Sequence, residues 1–236
     1  MDKQQSIIKM FDDISPTYDR LNRVLSFGVD RGWRKRGCES ALSLFSGDRA
    51  TLIDVATGTG DLILFWRKAA VKLRKTIDRV IGVDPSQNML NIAATKRLNA
   101  TLINCEASAV PLPDNAADLL SISYGIRNVI EIDKALAEFY RLLKPNGVLL
   151  ILEFMSRKRQ TPLDRIASFY LRRVLPTLGG LISKDPRAYA YLSESIGAFL
   201  SAKELGEKLT SIGFEIAQIK EETFGINTRF VARKPL

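Results

Sequence analysis

The chain has 236 residues, 46% of them hydrophobic and 26% charged, which suits one α/β domain with a sizeable core. It contains no histidine, so histidine-based proton transfer and most zinc sites are excluded, and any proton must move through a carboxylate, Tyr, Lys, Arg or water. Thirty-five Lys and Arg against 26 Asp and Glu leave a net charge of +9, which predicts attraction to an anionic surface, nucleic acid or acidic lipid, or simply solubility. Cys38 and Cys105 form no metal or redox spacing and read as free thiols of a reducing cytosol. The polar start lacks a signal-peptide core, and no stretch reads as a bilayer span, since the best candidate, 166–182, is broken by Arg172, Arg173 and Pro176.

Residues 1–49 read as an N-terminal helical cap. Ser15-Pro16 suits a helix cap and first turn. The basic segment Asp30-Arg-Gly-Trp-Arg-Lys-Arg36 reads as a solvated helix face around a buried indole, in preference to a binding role, and Tyr18 as core or pocket wall.

Apolar β candidates follow at 50–55, 79–84, 101–104, 117–123 and 147–153, with helical patterns between the first several. That alternation predicts a parallel sheet. Two further runs, 213–221 and 226–233, are separated by Gly225-Ile-Asn and fit an antiparallel hairpin. Between them and the fifth strand lies an insert, 157–204, too long for a plain connection. Leu163, Ile166, Tyr170 and Val174 follow helical spacing. A second stripe of Tyr189, Leu192 and Ile196 comes after Gly179-Gly180, so the insert is expected to be a helical lid.

The chemistry centres on Thr51-Leu-Ile-Asp-Val-Ala-Thr-Gly-Thr-Gly-Asp61, a strand, a small-residue turn and a helix start. The third glycine of a dinucleotide turn is replaced by Ile63. Asp61 stands where a pyrophosphate would sit, and there it would satisfy free helix N–H groups while repelling phosphate. The corner therefore suits a ligand with a cationic amino-acid end, such as S-adenosyl-L-methionine. Asp84, at the end of the second strand, is placed to accept both ribose hydroxyls. Met89 could pack against adenine, and Glu106 with the Ala107 amide could hold its edge. Tyr124, Arg127 and Asn128 follow the fourth strand at the carboxyl edge, where an acceptor would lie. A substrate oxyanion would partner Arg127, although Glu153 would also serve structurally.

Asp54-x-Ala-x-Gly-x-Gly60 resembles the first motif of class I methyltransferases, with Ala56 where many members carry glycine. Tyr18-Asp-x-Leu-Asn22, Leu25-Ser-x-Gly28, Arg31-x-Trp33, Tyr124-Gly-Ile-Arg-Asn-Val129, Leu152-Glu-Phe154 and Tyr189-x-Tyr-Leu-x-Glu-Ser-Ile196 resemble the ubiquinone/menaquinone biosynthesis C-methyltransferase family almost end to end. The resemblance implies a Rossmann-like sheet of seven strands, mostly parallel, with an antiparallel C-terminal hairpin. It implies S-adenosyl-L-methionine as cofactor and C-methylation of a demethylated polyprenyl quinol. Asp54, Thr57, Gly58, Thr59, Gly60, Asp84, Met89, Glu106, Ala107 and Ser123 would bind the cofactor, and Tyr124, Arg127 and Asn128 would carry catalysis. Expected partners are the quinol, an anionic membrane reached peripherally from the cytoplasmic side and, as a further option, a second copy of the chain. Metal and nucleic acid are not expected. The alternatives are an RNA methyltransferase, suggested by the basic charge, and an inactive cofactor-binding protein at the membrane.

Overall fold

Leu52, Ile53, Val55, Leu119, Leu120, Ile122 and Val148–Leu152 are all at most 1% exposed, so the central strands are covered on both faces. A parallel sheet has this requirement, because its crossover helices lie on both sides. The computed structural model describes residues 3–156 and 186–236. Its sheet has seven strands: β1 (Arg49–Val55), β2 (Thr76–Asp84), β3 (Thr101–Asn104), β4 (Ala117–Ser123), β5 (Leu143–Glu153), β6 (Glu215–Glu222) and β7 (Asn227–Arg233). Their spatial order is β3-β2-β1-β4-β5-β7-β6. Only β7 runs antiparallel, against both β5 and β6.

The helices are α1 (Lys3–Ile14), α2 (Tyr18–Leu25), α3 (Val29–Leu44), α4 (Asp61–Leu73), α5 (Gln87–Thr95), α6 (Ile132–Leu142), α7 (Pro186–Ala198) and α8 (Ala202–Ile212). Strand alternation divides the core in two. Leu52, Leu119, Leu150 and Leu152 meet Trp33, Leu42 and Trp66 of α3 and α4 on one face. Ile53, Leu120, Ile122 and Ile151 meet Phe139 of α6 and Leu209 of α8 on the other. Each fully buried side chain of this size contributes about 1.5–3 kcal/mol. A Ser201 capping box starts α8, the serine hydroxyl accepting from the Glu204 amide while the Glu204 carboxylate accepts from the Ser201 amide.

The structure adjusts several expectations. β2 and β5 begin earlier than a continuous apolar run predicts, since backbone pairing does not need one: Thr76 pairs with Arg49, and Leu143, ahead of the polar stretch 144–147, pairs with Ala117. Ser15-Pro16 caps no helix; it forms a 3-10 turn between α1 and α2, and the Ser15 hydroxyl donates back to the Asp12 carbonyl (2.9 Å). Of the N-terminal segment, α3 is a full member of the core and only α1 and α2 overlie the strand ends. The expected insert helix through Leu163, Ile166, Tyr170 and Val174, with its arginines, lies outside the described residues, whereas the Leu192 and Ile196 stripe falls on α7.

Candidate active site

β1 lies at the switch point of the sheet, with β2 and β3 on one side and β4 on the other. In such sheets the crevice opens at the carboxyl ends of the strands flanking the reversal. A cavity lies there, lined by Ala56 and Gly58 after β1, Asp84 at the end of β2, Glu106 and Ala107 after β3, and Ser123 and Tyr124 at the end of β4. Met89 forms part of its wall, and Ile7, Ile8 and Phe11 of α1 cover it.

The turn 56–60 is held from below. Asp54 is 1% exposed and accepts from Ser121 Oγ (2.6 Å) and Thr57 Oγ1 (2.7 Å). Burial raises its pKa to about 6, against the pull of those two hydroxyls. Thr59 donates to Asp19 of α2 (2.6 Å). Gly60 has φ 79°, and a Cβ there would meet Leu98 Cδ1 at 2.1 Å, so any larger residue would be strained and would have to push Leu98 aside. Asp54, Thr57, Thr59 and Gly60 thus shape the turn through protein partners, while Gly58, Asp84, Met89, Glu106, Ala107 and Ser123 face the cavity.

Asp84 is 7% exposed and accepts from the Gly58 amide (2.8 Å) and the Ser86 amide (2.9 Å). A carboxylate has about four acceptor positions, so room remains for two ligand hydroxyls. Burial lifts its pKa to about 6, with the two amides opposing and Asp54 adding to the rise.

Asp61 departs from expectation. Its carboxylate does not cap α4, whose N-cap Gly60 has no side-chain bond. It pairs instead with Lys96 (3.0 Å) and Arg23. Burial alone would raise its pKa; Lys96, Arg34 and Arg23 outweigh that and hold it below the usual carboxylate range.

A second cavity of about 310 Å³ adjoins the first, and Phe11, Tyr18 and Tyr124 line both. Its walls are mainly apolar: Met10, Ile14, Trp33, Phe154, Leu192 and Ile226. Arg34, Arg127 and Asp30 are the charged groups among its described lining. Tyr124, at φ 58°, is a left-handed aromatic residue of the kind found at functional sites. It stacks on Phe154 (4.7 Å between ring centres) under the Arg34 guanidinium (5.0 Å).

Arg127 is paired with Glu153, Nη1 donating to Oε1 at 2.6 Å, and both side chains are nearly or fully buried. Burial pushes the Glu153 carboxyl up and Arg127 counters it. Arg127 Nε is buried with no partner among the described residues. An orphan donor of this kind is costly unless a ligand accepts from it. Asn128 Oδ1 accepts from the Tyr191 hydroxyl (3.1 Å), which ties α7 to the end of β4.

Sequence reasoning missed Arg34. It sits in the segment expected to be solvated, yet it is 6% exposed, and it donates to Ser123 Oγ (2.9 Å) and to Asp30 Oδ2 (3.4 Å). The available signal was spacing: Asp30 and Arg34 stand four apart beside the small and apolar stripe Trp33, Gly37, Cys38 and Ala41. The buried Trp33 agrees with expectation.

The chain matches the model of the ubiE/COQ5 methyltransferase family over residues 1–234. It is 46% identical to the ubiquinone/menaquinone biosynthesis C-methyltransferase UbiE of Campylobacter jejuni subsp. jejuni, over 99% of this chain and 100% of that one. It is 39% identical to the demethylmenaquinone methyltransferase of Thermus thermophilus, over 96% of this chain and 100% of the relative. The solved structure of a SAM-dependent methyltransferase from Thermotoga maritima superposes with a TM-score of 0.61 at 21% identity, covering 97% of this chain and 99% of the other. That likeness establishes the fold, and the sequence matches establish the lineage: this chain belongs to the ubiE/COQ5 methyltransferase family.

Proposed function

We propose that this chain methylates a ring carbon of a demethylated polyprenyl quinol, demethylmenaquinol or the corresponding ubiquinone precursor, using S-adenosyl-L-methionine. The carrying observation is the pair of adjoining cavities, one edged by acids and backbone amides, the other aromatic and apolar, meeting at Phe11, Tyr18 and Tyr124. The first fits the cofactor: Asp84 keeps acceptor capacity for the ribose, with Met89, Glu106 and Ala107 placed around the adenine. When bound, the cofactor supplies an electrophilic methyl carbon. The second cavity suits an aromatic acceptor and not a polyanion, which disfavours RNA.

Methylation at carbon needs an electron-rich ring, and a quinol gains that character on losing a hydroxyl proton. Arg127 lines the second cavity, and its guanidinium, fixed in place by Glu153, is the cation to stabilise the resulting phenolate oxygen. Asp30, the carboxylate on this wall among the described residues, is held by Arg23, Arg34 and Ser26, so water is the group suited to receive the hydroxyl proton and then the ring hydrogen that leaves once the carbon–methyl bond has formed. Tyr124 and Phe154 give the ring a stacking surface, and positioning then supplies much of the rate. An acceptor with an isoprenoid tail resides in a bilayer, so this reading implies contact with a membrane surface; no helix among the described residues is long and apolar enough to cross one.

The test uses the purified chain with S-adenosyl-L-methionine and a short-tail demethylated naphthoquinol, kept reduced. Mass spectrometry should show one added methyl on the quinol ring, and the oxidised quinone should be inert. Methyl transfer to RNA with none to the quinol would overturn the proposal.

A further inference from the structure

We infer that two apolar turns at the mouth of the second cavity form the surface by which this protein docks on an anionic lipid bilayer. One is the α2–α3 turn, where Phe27 is 77% exposed and flanked by Val24 at 41% and Val29 at 40%. The other joins β6 to β7, where Phe224 is 70% exposed. The sequence places these turns nearly two hundred residues apart. The fold brings them together: Trp33 Nε1 donates to Thr223 Oγ1 (2.9 Å), and Arg36 pairs with Glu222 (2.7 Å) at the end of β6. Phe27, Val29, Thr223 and Ile226 all line the second cavity, so the apolar rim is continuous with its interior.

Phe27 and Phe224 both adopt left-handed backbone, φ 49° and 55°, which L-aromatic residues rarely hold. Both residues stay largely exposed in that conformation. A surface ring gains free energy at the boundary of headgroup and acyl chain.

Charge selects the occupant. Arg20, Val24 and Phe27 stand at i, i+4 and i+7 along α2 and its terminal turn, and Arg20 is exposed. Arg31 and Lys35, four apart on α3, are also exposed. None of these three cations has an ion pair among the described residues, and the whole chain carries +9. An apolar tip set among free cations matches an anionic membrane surface and would repel a second copy presenting the same face. The surface rests on the quinol reading in one respect: an isoprenoid tail would pass between the two turns from the lipid into the cavity.

The test compares the full chain with Phe224→Asn combined with Val24→Gln. Asn tolerates left-handed backbone and neither side chain lines a cavity, so folding and turnover of a water-soluble short-tail quinol should persist. Sedimentation with phosphatidylglycerol-containing vesicles should show binding that added salt weakens, at least tenfold weaker in the double variant, and absent from pure phosphatidylcholine vesicles. In a Phe224→Trp variant, emission should shift to the blue on the anionic vesicles. Equal binding by the double variant, no vesicle binding by the parent chain, or a lipid-free self-association lost in the variant would each overturn the inference. Intact vesicle binding without quinol turnover would leave the docking surface standing and reject the acceptor assignment alone.

Discussion

At the scale of single residues, two buried carboxylates set the pH behaviour. Asp84 has its pKa raised from 3.8 to about 6, so the folded chain holds that proton more tightly than the unfolded one. Its contribution to stability therefore falls as pH rises from about 4 to about 6. Asp54, raised to about 6, acts in the same direction. Hydroxyls donating to Asp84 favour its ionised form, so cofactor affinity should tighten as pH rises through about 6. Calorimetry across pH 5 to 8 should show this, and Asp84→Asn should flatten most of the dependence. Asp84→Ala should cost roughly 1.5–3 kcal/mol of binding, the worth of hydrogen bonds to a charged group. Unchanged affinity in a folded variant would remove Asp84 from the ribose role. Arg127 calls for a different design, because Arg127→Leu strands Glu153 in the core at a cost of about 3–5 kcal/mol. Arg127→Leu with Glu153→Leu removes the pair together. That variant should still bind the cofactor, with kcat reduced on the order of a hundredfold or more, as for other lost oxyanion donors. A parallel fall in cofactor affinity would place the pair in the fold and not in the reaction.

At the scale of elements, the turns after β1 and β4 are built against each other. Ala56 occupies a left-handed position, φ 48°, and a Cβ on Gly125 would come within 2.5 Å of the Ala56 Cβ. The small residue in the Tyr124-Gly-Ile-Arg-Asn-Val129 segment is therefore set by the cofactor turn across the crevice. Gly125→Ala should cost about 1–3 kcal/mol by overpacking and weaken cofactor binding with it. Ala56→Gly in the same chain should recover most of both losses, since it removes the clash and relieves the left-handed strain. Thermal denaturation of the two single variants and the double reads the coupling directly. Additive effects would mean that the two turns do not press on each other.

Across the whole molecule, the covering of the site is assembled by charge from distant stretches of chain. Lys96 bonds Asp19 (2.6 Å), Thr59 (3.0 Å) and Asp61 (3.0 Å), joining the end of α5 to α2, the cofactor turn and the start of α4. Arg23 bridges Asp30 and Asp61, and Asp12 of α1 accepts from Ser86 Oγ (2.5 Å). The helices α1 and α2 are thus pinned over the first cavity by polar contacts together with the buried Ile7, Ile14 and Leu21, whereas α3 belongs to the main apolar core. Such a cover can open without unfolding the sheet. Lys96→Gln should cost roughly 1–3 kcal/mol locally. Amide hydrogen exchange should then quicken in α1 and α2 while β1, β4 and β5 keep their protection. Exchange unchanged in those helices would show that the core, and not this network, holds them.

The sequence by itself determined the class of fold, the turn 54–61, the acid at the end of the second strand and the C-terminal hairpin, because each is a local pattern. A strand buried on both faces is a run of apolar residues, a tight turn is a run of small ones, and a hairpin is two runs close together. Strand starts such as Thr76–Asp78 escaped notice because backbone pairing needs no apolar side chain. What only the tertiary structure decided is where charges end up. Arg34 and Arg36 read as members of one solvated basic run, yet one is buried on Ser123 and the other pairs with Glu222. Asp61 read as a helix cap and is an ion-pair partner. Glu153, one of two partners open to Arg127 in the sequence, proves to be its mate. The reason is physical: an apolar residue needs only to be inside, and its neighbours in sequence announce that, whereas a charge must meet one particular opposite group that the chain may supply from anywhere along its length.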